Sequence, residues 1–482
     1  MENAGRSVAD LITARFGAGT SVVVYSGTGR NGGDGMVTAR HLAGKGFTVA
    51  LRLVGVSRTI TDPAVHQNWI ALKSMSASVE VYECGDSSLL SKTDSDVIVD
   101  AVLGTGAKGK LRQPILRAVQ TINESRGFKV AVDVPTGIDS DTGEVLGDAV
   151  RANLTVTFHA TKPGLRNASD FCGEVSVVDI GIPLEASTYV GPGDVESVRI
   201  RRPALAHKGQ YGRLLVIGGS ETFTGAPALV ALAAYRSGTD LVFVAAPERT
   251  ASIVSSMSPS LISLKLPGDS LAPGHVQLLK EHIEKATAIA IGPGLGETAK
   301  TQSAVRRILT EIRQLKKPLL VDADALKAFG VIRKRIFHQS TVLTPHAGEF
   351  KAIAGRVPST ELRVRSNEVK AMAEKSGCVV LLKGNTDVIS DGDRVKLNRT
   401  GNPGMTVGGT GDVLSGIIAG LQAQGIDAFR AAVAGAFISG AAGDLAEEEL
   451  GYHLTPTDIL EHIPKAMNDP MCHKAIHQKR LQ

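Results

Sequence analysis

Apolar runs of strand length alternate with helix-spaced apolar positions through the first half of the chain. Ser21 to Ser26 (SVVVYS) reads as a buried strand, and Asp34 to Gly44 (DGMVTARHLAG) as an amphipathic helix closed by glycine. Strand-like runs recur from Thr48 (TVALRLVG), at Val79 to Cys84 (VEVYEC), Asp96 to Leu103 (DVIVDAVL) and Lys129 to Val134 (KVAVDV), and Val177 to Pro183 (VVDIGIP) closes the series. Such alternation predicts an α/β domain. Glu185 to Pro203 then mixes turn residues and charge without periodicity, which predicts a linker, set at residues 191–202 between domains at 1–190 and 203–482. No internal repeat relates the halves. In the second half, residues 207–248 read as strand, glycine turn, small-residue helix and strand. Four more predicted strands run into Ile289 to Gly296 (IAIGPGLG), Leu319 to Leu326 (LLVDADAL), Val342 to Phe350 (VLTPHAGEF) and Val379 to Asp387 (VVLLKGNTD).

One stretch departs from this rhythm. Gly401 to Leu421 (GNPGMTVGGTGDVLSGIIAGL) is a run of glycines and small residues passing into an apolar helix that starts near Gly411. Gly408, Gly409 and Gly411 free the backbone to turn its N–H groups toward one point, and the helix adds its positive end, so the stretch predicts a phosphate site. Asp412 follows directly. A carboxylate beside an anion site is unfavourable unless it has chemistry to do, such as taking the proton of a hydroxyl about to be phosphorylated; the bland reading is a helix-dipole charge after a tight turn. His346 and Lys383, each past a strand end, supply charge and donors from other segments; singly, one reads as a structural histidine and the other as a surface charge. Ala226 by itself reads as a packing residue at a helix entrance.

In the first half, GTGRNGGDG (residues 27–35) lies between strand and helix, the order a phosphate-binding βα unit needs. Gly27 to Gly32 matches GxGxxG, but the next strand ends without the acidic ribose ligand, which argues against an ordinary NAD cofactor site. Asn31, Asp100 and Thr136 stand at three strand ends, with Asp133 beside the last. Their amide, carboxylate and hydroxyl oxygens are hard ligands suited to a group I or II cation, and no nearby His or Cys points to zinc.

Composition narrows the classes. A chain of 482 residues suits two domains, each with its own core. The net charge of +5, with only 4% aromatic residues and no basic stripe, permits phosphorylated ligands and gives no reason to expect nucleic acid. Cys84, Cys172, Cys378 and Cys472 are far apart, so neither zinc spacing nor a disulfide framework is indicated and a reducing cytoplasm is expected. Cys472, His473 and His477 read as a solvated end rather than ligands. The apolar Ala431 to Ala446 is too short and interrupted for a bilayer and reads as a core helix, so no membrane partner is expected.

Residues 2 to about 185 resemble the YjeF N-terminal domain, the NAD(P)HX epimerase family, through ENAGRSVAD, GTGRNGGDGMVTARHL, DAVLGTGAKGKLRQP and DVPTGIDSDTG. The resemblance implies a Rossmann-like αβα sandwich. It implies that Arg30, Asn31, Gly32, Gly33 and Asp34, the loop Gly104, Thr105, Gly106, Ala107, Lys108, Gly109 and Lys110, and Asp133 contact the hydrated nucleotide. It implies too that Asn31, Asp100 and Thr136 bind a potassium ion. Asp133 is the best candidate for moving protons. Two features depart from the family: many members carry Asn where Arg30 stands, and most carry a helical segment ahead of the point where this chain begins, so a shortened N-terminus or a late-assigned start is expected.

Residues 203 to about 465 are similar to the YjeF C-terminal domain, the NAD(P)H-hydrate dehydratases of the ribokinase-like superfamily, through HKGxxG, TGA, GPGLG, TPHxGE, LLKG and NPGMTVGGTGDVLSG. That implies a ribokinase-like αβα sandwich in which Ala226, Gly294, His346 and Asp412 contact the hydrate. Lys383, Gly384, Asn385, Thr386, Asp387 and Gly411 would contact ADP or ATP with Mg²⁺, Asp412 acting as base. The expectation is a homo-oligomeric repair enzyme for NADHX and NADPHX, with ADP favoured as in microbial relatives. Two rivals are a vitamin-precursor kinase with a regulatory N-terminal domain and a non-enzymatic interaction scaffold.

Overall fold

Each half of the chain folds on its own sheet in the computed structural model, which describes residues 1–200 and 202–473. One unit spans Met1–Pro183 and the other begins at Leu184. In the first, β1 (Ser21–Ser26), β2 (Thr48–Val54), β3 (Val79–Cys84), β4 (Val97–Ala101), β5 (Phe128–Val132), β6 (Leu154–Phe158) and β7 (Glu174–Val178) pair in the order β3-β2-β1-β4-β5-β6-β7. Every pairing is parallel. A parallel sheet is covered by helices on both faces, and accordingly every residue of β4 and β6 is buried. The strand order reverses between β1 and β4, which opens a crevice at their carboxyl ends.

The helix after β1 spans Arg30–Gly44, starting four residues before the sequence-based expectation. Packing overrides glycine's poor helix propensity here. A Cβ on Gly32 would run into the Gly27 carbonyl, and one on Gly35 would lie 2.5 Å from Ala101 Cβ, so the glycines let the first helical turn press onto the sheet.

The second unit contains β8 (Arg213–Ile217), β9 (Leu241–Pro247), β10 (Ile262–Leu266), β11 (Ala288–Ile291), β12 (Leu319–Val321), β13 (Thr341–Leu343), β14 (Val379–Leu382), β15 (Asp387–Ser390) and β16 (Val395–Asn398). Their order is β10-β9-β8-β11-β12-β13-β14-β15-β16, parallel except for the antiparallel run β14-β15-β16. Here the order reverses between β8 and β11.

The stretch expected to be a linker folds onto the second unit instead. Residues Pro192–Glu196 are helical, Val195 and Val198 are buried in that unit's core, and Tyr189 pairs with Leu397 of β16. The scattered apolar residues of this charged stretch announce no helix, yet the burial of Val195 and Val198 is enough to fix one.

The small-residue helix, Ala428–Leu450, is buried from Ala428 through Ala446 apart from Arg430. Its glycines bring the Thr400–Met405 segment close: a Cβ on Gly440 would meet Thr400 and one on Gly443 would meet Met405. Asp444 accepts from Gly401 N (3.0 Å) and Asn402 Nδ2 (3.1 Å), which ties the glycine loop to the core. His473 Nε2 lies 2.7 Å from Asp444 Oδ2 and Cys472 packs against the core, so these two residues are not the solvated end expected; His477 lies outside the described residues. Among the described residues no helix is long and apolar enough to cross a membrane.

Candidate active sites in the two units

In the first unit, side chains from four segments meet at the β1/β4 crevice. Asn31, in the first turn of the helix Arg30–Gly44, buries both amide atoms with no hydrogen-bond partner. A Cβ on Gly104 would stand 3.2 Å from Asn31 Cγ, which places that amide against the loop after β4. Asp100, on β4, is fully buried; its Oδ1 accepts from Thr136 Oγ1 (2.7 Å) and its Oδ2 from Thr136 N (2.8 Å). Burial raises its carboxyl to about 6 against those hydrogen bonds. Asn31 Oδ1, the Asp100 carboxylate and the Thr136 hydroxyl are a hard-oxygen donor set, and an orphaned buried amide is what a cation ligand would leave in a structure without the cation.

Asp133 follows β5 in the left-handed region at φ 68°, a conformation that a non-glycine residue holds only when its surroundings dictate it. Its Oδ1 accepts from Lys162 Nζ (2.5 Å), Thr157 Oγ1 (3.2 Å) and Phe158 N (3.5 Å). Asp34 is its acidic neighbour. Burial, joined by the charge of Asp133, raises the Asp34 carboxyl to about 7.

Arg30 and Lys108 stand further out. Arg30 Nε pairs with Asp62 Oδ2 at 2.8 Å on the surface, and Lys108 Nζ bridges Asp139 Oδ2 (2.9 Å) and Asp141 Oδ2 (3.0 Å). The loop Gly104, Thr105, Gly106, Ala107, Lys108, Gly109 and Lys110 is mostly exposed at the crevice rim, whereas Gly32 and Gly33 are buried in the helix.

In the second unit the switch between β8 and β11 is built by close backbone approach. Gly219 N donates to Pro293 O at 2.8 Å, and a Cβ on Gly294 would stand 3.3 Å from Ala226 Cβ, so Ala226 and Gly294 face each other across the crevice. The helix Thr410–Ala423 begins after Gly409, whose φ is 104°, with no side chain capping it. Among the described residues, the amides of Gly408, Gly409, Thr410, Gly411 and Asp412 donate to no protein group. Asp412 sits in that first turn, and burial, then the charge of Asp322, raises its carboxyl to about 7.

Two carboxylates pair with one ammonium, and the charge of a third, Asp412, bears on it. Lys383, past β14, places Nζ 3.0 Å from Asp322 Oδ1 and 3.9 Å from Glu349 Oε2, and a Cβ on Gly411 would stand 3.4 Å from it. Burial works against the Lys383 charge, but Asp322 and Glu349 outweigh it and hold its pKa above the usual lysine value. Asp322 is 1% exposed, and its Oδ2 accepts from Ser415 Oγ at 2.7 Å, which locks β12 to the second turn of the helix Thr410–Ala423.

His346 caps the helix Ala347–Ala354: its Nδ1 accepts from Gly348 N (3.0 Å), and Glu349 Oε2 accepts from His346 N (2.9 Å). With Nδ1 accepting, Nε2 carries a ring proton and lies 3.4 Å from Glu349 Oε1. Asp387 turns inward: Oδ1 accepts from Gly384 N (3.0 Å) and Oδ2 from Asn398 Nδ2 (2.9 Å), and burial raises its carboxyl to about 6. It shapes the turn, while Gly384 and Asn385 are exposed and Thr386 is half-buried. A cavity of about 390 Å³ elsewhere in this unit is lined in part by Arg394, Lys396 and Arg430, each already paired, with Asp391, Asp194 and Ser197 O respectively.

Residues 214–465 match the family model described as NAD(P)H-hydrate dehydratase, and residues 1–164 match that of the YjeF-related protein N-terminus. The chain is 46% identical to the bifunctional NAD(P)H-hydrate repair enzyme Nnr of Pyrobaculum aerophilum, over 97% of this chain and 93% of that protein. It is 43% identical to the enzyme of the same name from Hyperthermus butylicus, over 98% and 88%. The chain belongs to the bifunctional NAD(P)H-hydrate repair enzymes. A ribokinase-like superfamily protein from Enterococcus faecalis is 26% identical with a TM-score of 0.51, over 58% of this chain and 95% of that one. Membership favours the repair reading over the kinase and the scaffold, and gives the two sites separate tasks.

For a member of this repair family, sequence reasoning missed Lys162, Thr157, Asp322 as a lysine partner, and Ser415. Lys162 had a positional signal, since it follows an apolar run, LTVTF, and directly precedes Pro163. The partners of Asp322 lie 61 and 93 residues away and had none.

Proposed function

We propose that Asp412 is the base and the free amides ahead of it the phosphoryl site of a nucleotide-driven dehydratase, while Asp133 and Asp34 serve an epimerase. The chain repairs hydrated nicotinamide nucleotides: its first unit interconverts the R and S hydrates of NADH and NADPH, and its second dehydrates the S form. The observation that carries the reading is Asp412, raised to about 7, in the first turn of a helix whose leading amides have no protein partner.

In the second unit the chemistry runs in two steps. Asp412 takes the proton of the 6-hydroxyl as its oxygen attacks the terminal phosphoryl of ADP, releasing AMP. Amides of residues 408–411 and the Lys383 ammonium meet the charge on the transferring group. The ring nitrogen lone pair then expels phosphate, and loss of the adjacent carbon's proton restores the reduced ring. Ala226, Gly294 and the His346 Nε2–H hold the hydrate, and the turn at residues 383–387 with Gly411 holds the nucleotide. ADP is the favoured co-substrate, with ATP giving ADP by the same route. Three carboxylates around one ammonium leave surplus negative charge, which fits Mg²⁺ arriving with the polyphosphate; Glu349 and Asp322 would face it, and it would neutralise phosphate charge.

In the first unit Asn31, Asp100 and Thr136 would hold K⁺, which would supply fixed positive charge beside the substrate. Residues 30–34, the loop 104–110 and Asp133 bind the hydrate there. A cytoplasmic location and homo-oligomeric assembly are part of the proposal, the latter tested by light scattering. The deciding experiment supplies an R/S hydrate mixture with Mg²⁺, K⁺ and ADP. Full recovery of reduced-nicotinamide absorbance supports both activities, and recovery stopping at the S fraction would refute the epimerase assignment.

A further inference from the structure

Lys162 brings a half-buried ammonium to the first crevice, and nothing in the reading above uses it. It follows β6 at the N-cap of the helix Pro163–Asn167, where Pro163 sets the chain direction. Its three protons go to Asp133 Oδ1 (2.5 Å), Thr157 Oγ1 (2.8 Å) and Phe158 O (2.9 Å), and its side chain is 19% exposed. A surface lysine does not spend all three donors on fixed partners, since holding a long side chain in one geometry costs about 1.5–2 kcal/mol of rotamer freedom.

The partner is equally constrained. All three donors to Asp133 reach Oδ1, so Oδ2 is the oxygen left to face the crevice, and the left-handed backbone at φ 68° holds it there. Two carboxylates in one crevice cannot both ionise freely, and a single cation attached to one of them decides which does. The charged groups bearing on the pair are Lys162 on Asp133, and on Asp34 the Asp133 charge together with the Met1 amine at 3.8 Å.

We propose that Lys162 is a positioning residue of the epimerase: it holds the Asp133 carboxylate with Oδ2 toward the substrate, so that Asp133 acts as base and Asp34 as acid. The raised Asp34 carboxyl agrees with this division. In the forward step the proton of Asp34 passes to the 6-hydroxyl as the C6–O bond breaks and the ring nitrogen lone pair forms N1=C6. The departing water is replaced by one attacking C6 from the other face, whose proton goes to Asp133 Oδ2 while the N1=C6 electrons return to nitrogen. No oxidant or reductant is needed; one turn leaves Asp34 ionised and Asp133 protonated, and the opposite turn, or proton exchange with water, restores the starting state.

The inference rests on the reading of Asp133 as the group that moves protons, and the test separates the two. Exchange between R and S hydrates is followed by NMR over a range of hydrate concentrations in the full chain with K⁺ and no nucleotide, for Lys162→Met, Lys162→Arg and Asp133→Asn. Removing the ammonium frees the Asp133 carboxylate to turn from the substrate, so kcat for exchange falls by at least about tenfold while KM for the hydrate stays near the parent's, and methylammonium restores part of the rate. Lys162→Arg keeps most of kcat, which a purely structural loss would not do. Dehydration of pure S hydrate by the same chain, with ADP added afterwards, reports that the preparation is intact. An unchanged kcat in Lys162→Met, or an Arg variant as slow as the Met variant, overturns the role of Lys162 while an inactive Asp133→Asn still upholds the base. Normal exchange in Asp133→Asn overturns both.

Discussion

The two crevices look alike in outline and use their glycines in opposite ways. Both lie where the order of a parallel sheet reverses, both are entered by a glycine-led helix without a side-chain cap, and both set a lysine against one carboxylate beside a second carboxyl raised to about 7. In the first unit Gly27 and Gly32 are packed against the backbone of Val102 and of Gly27, although a Cβ on Gly29 between them would meet nothing within 4 Å. In the second, a Cβ on Gly408 would meet nothing within 4 Å. The same punctuation therefore serves helix–sheet contact in one unit and, at Gly408, leaves open space ahead of the helix in the other. A glycine loop before a helix thus has its meaning fixed by what lies within a methyl group's reach.

The sharpest way to break this comparison is to remove each raised carboxyl. Asp412→Ala should cut nucleotide-driven dehydration by on the order of 10²–10⁴-fold, the usual worth of a positioned base, with epimer exchange unchanged. Steady-state recovery of absorbance from S hydrate, alongside NMR of the exchange, reads both.

Glycine substitution should give the next largest contrast. Gly32→Ala pushes a methyl into the Gly27 carbonyl and should destabilise the first unit by about 1–3 kcal/mol, the usual cost of overpacking. Gly408→Ala should leave thermal unfolding of the second unit within about 0.5 kcal/mol of the parent, as for an unobstructed surface change, while raising KM for ADP. Equal melting shifts in the two variants would erase the distinction.

A pH profile tests the electrostatics. Asp412 must be deprotonated to act, so dehydration should rise with pH through about 7. Asp322 is among the charges that raise that carboxyl; Asp322→Asn should therefore move the rising limb to lower pH, even as the loosened Lys383 weakens nucleotide binding. A limb that moves upward would contradict the sign. The smallest effect on the rate profile is expected of Ser415→Ala, which removes one buried hydrogen bond to Asp322 and should cost about 1–3 kcal/mol in denaturant unfolding, with the rate limb nearly in place.

What the sequence showed, and what it hid, follows from distance along the chain. Asp412 and its glycines are adjacent in sequence and chemically odd together, so the second site was legible. The parallel strands were legible wherever an apolar run ended in glycine or aspartate. Lys162 was not, because its meaning depends on Asp133, 29 residues away on the neighbouring strand end. The start of the helix at Arg30 was hidden because helix propensity disfavours glycine, while the contact with Gly27 that requires glycine is tertiary. Val195 and Val198 turned an expected linker into core for a related reason: two valines carry no period, but each is buried completely enough to anchor the segment.

The most direct test of the division of labour supplies each hydrate separately, with ADP, Mg²⁺ and K⁺, to the parent, Asp133→Asn and Asp412→Asn chains, and follows the return of reduced-nicotinamide absorbance. The parent should convert both epimers, Asp133→Asn the S epimer alone, and Asp412→Asn neither. Parent-like conversion of S hydrate by Asp412→Asn would contradict the account.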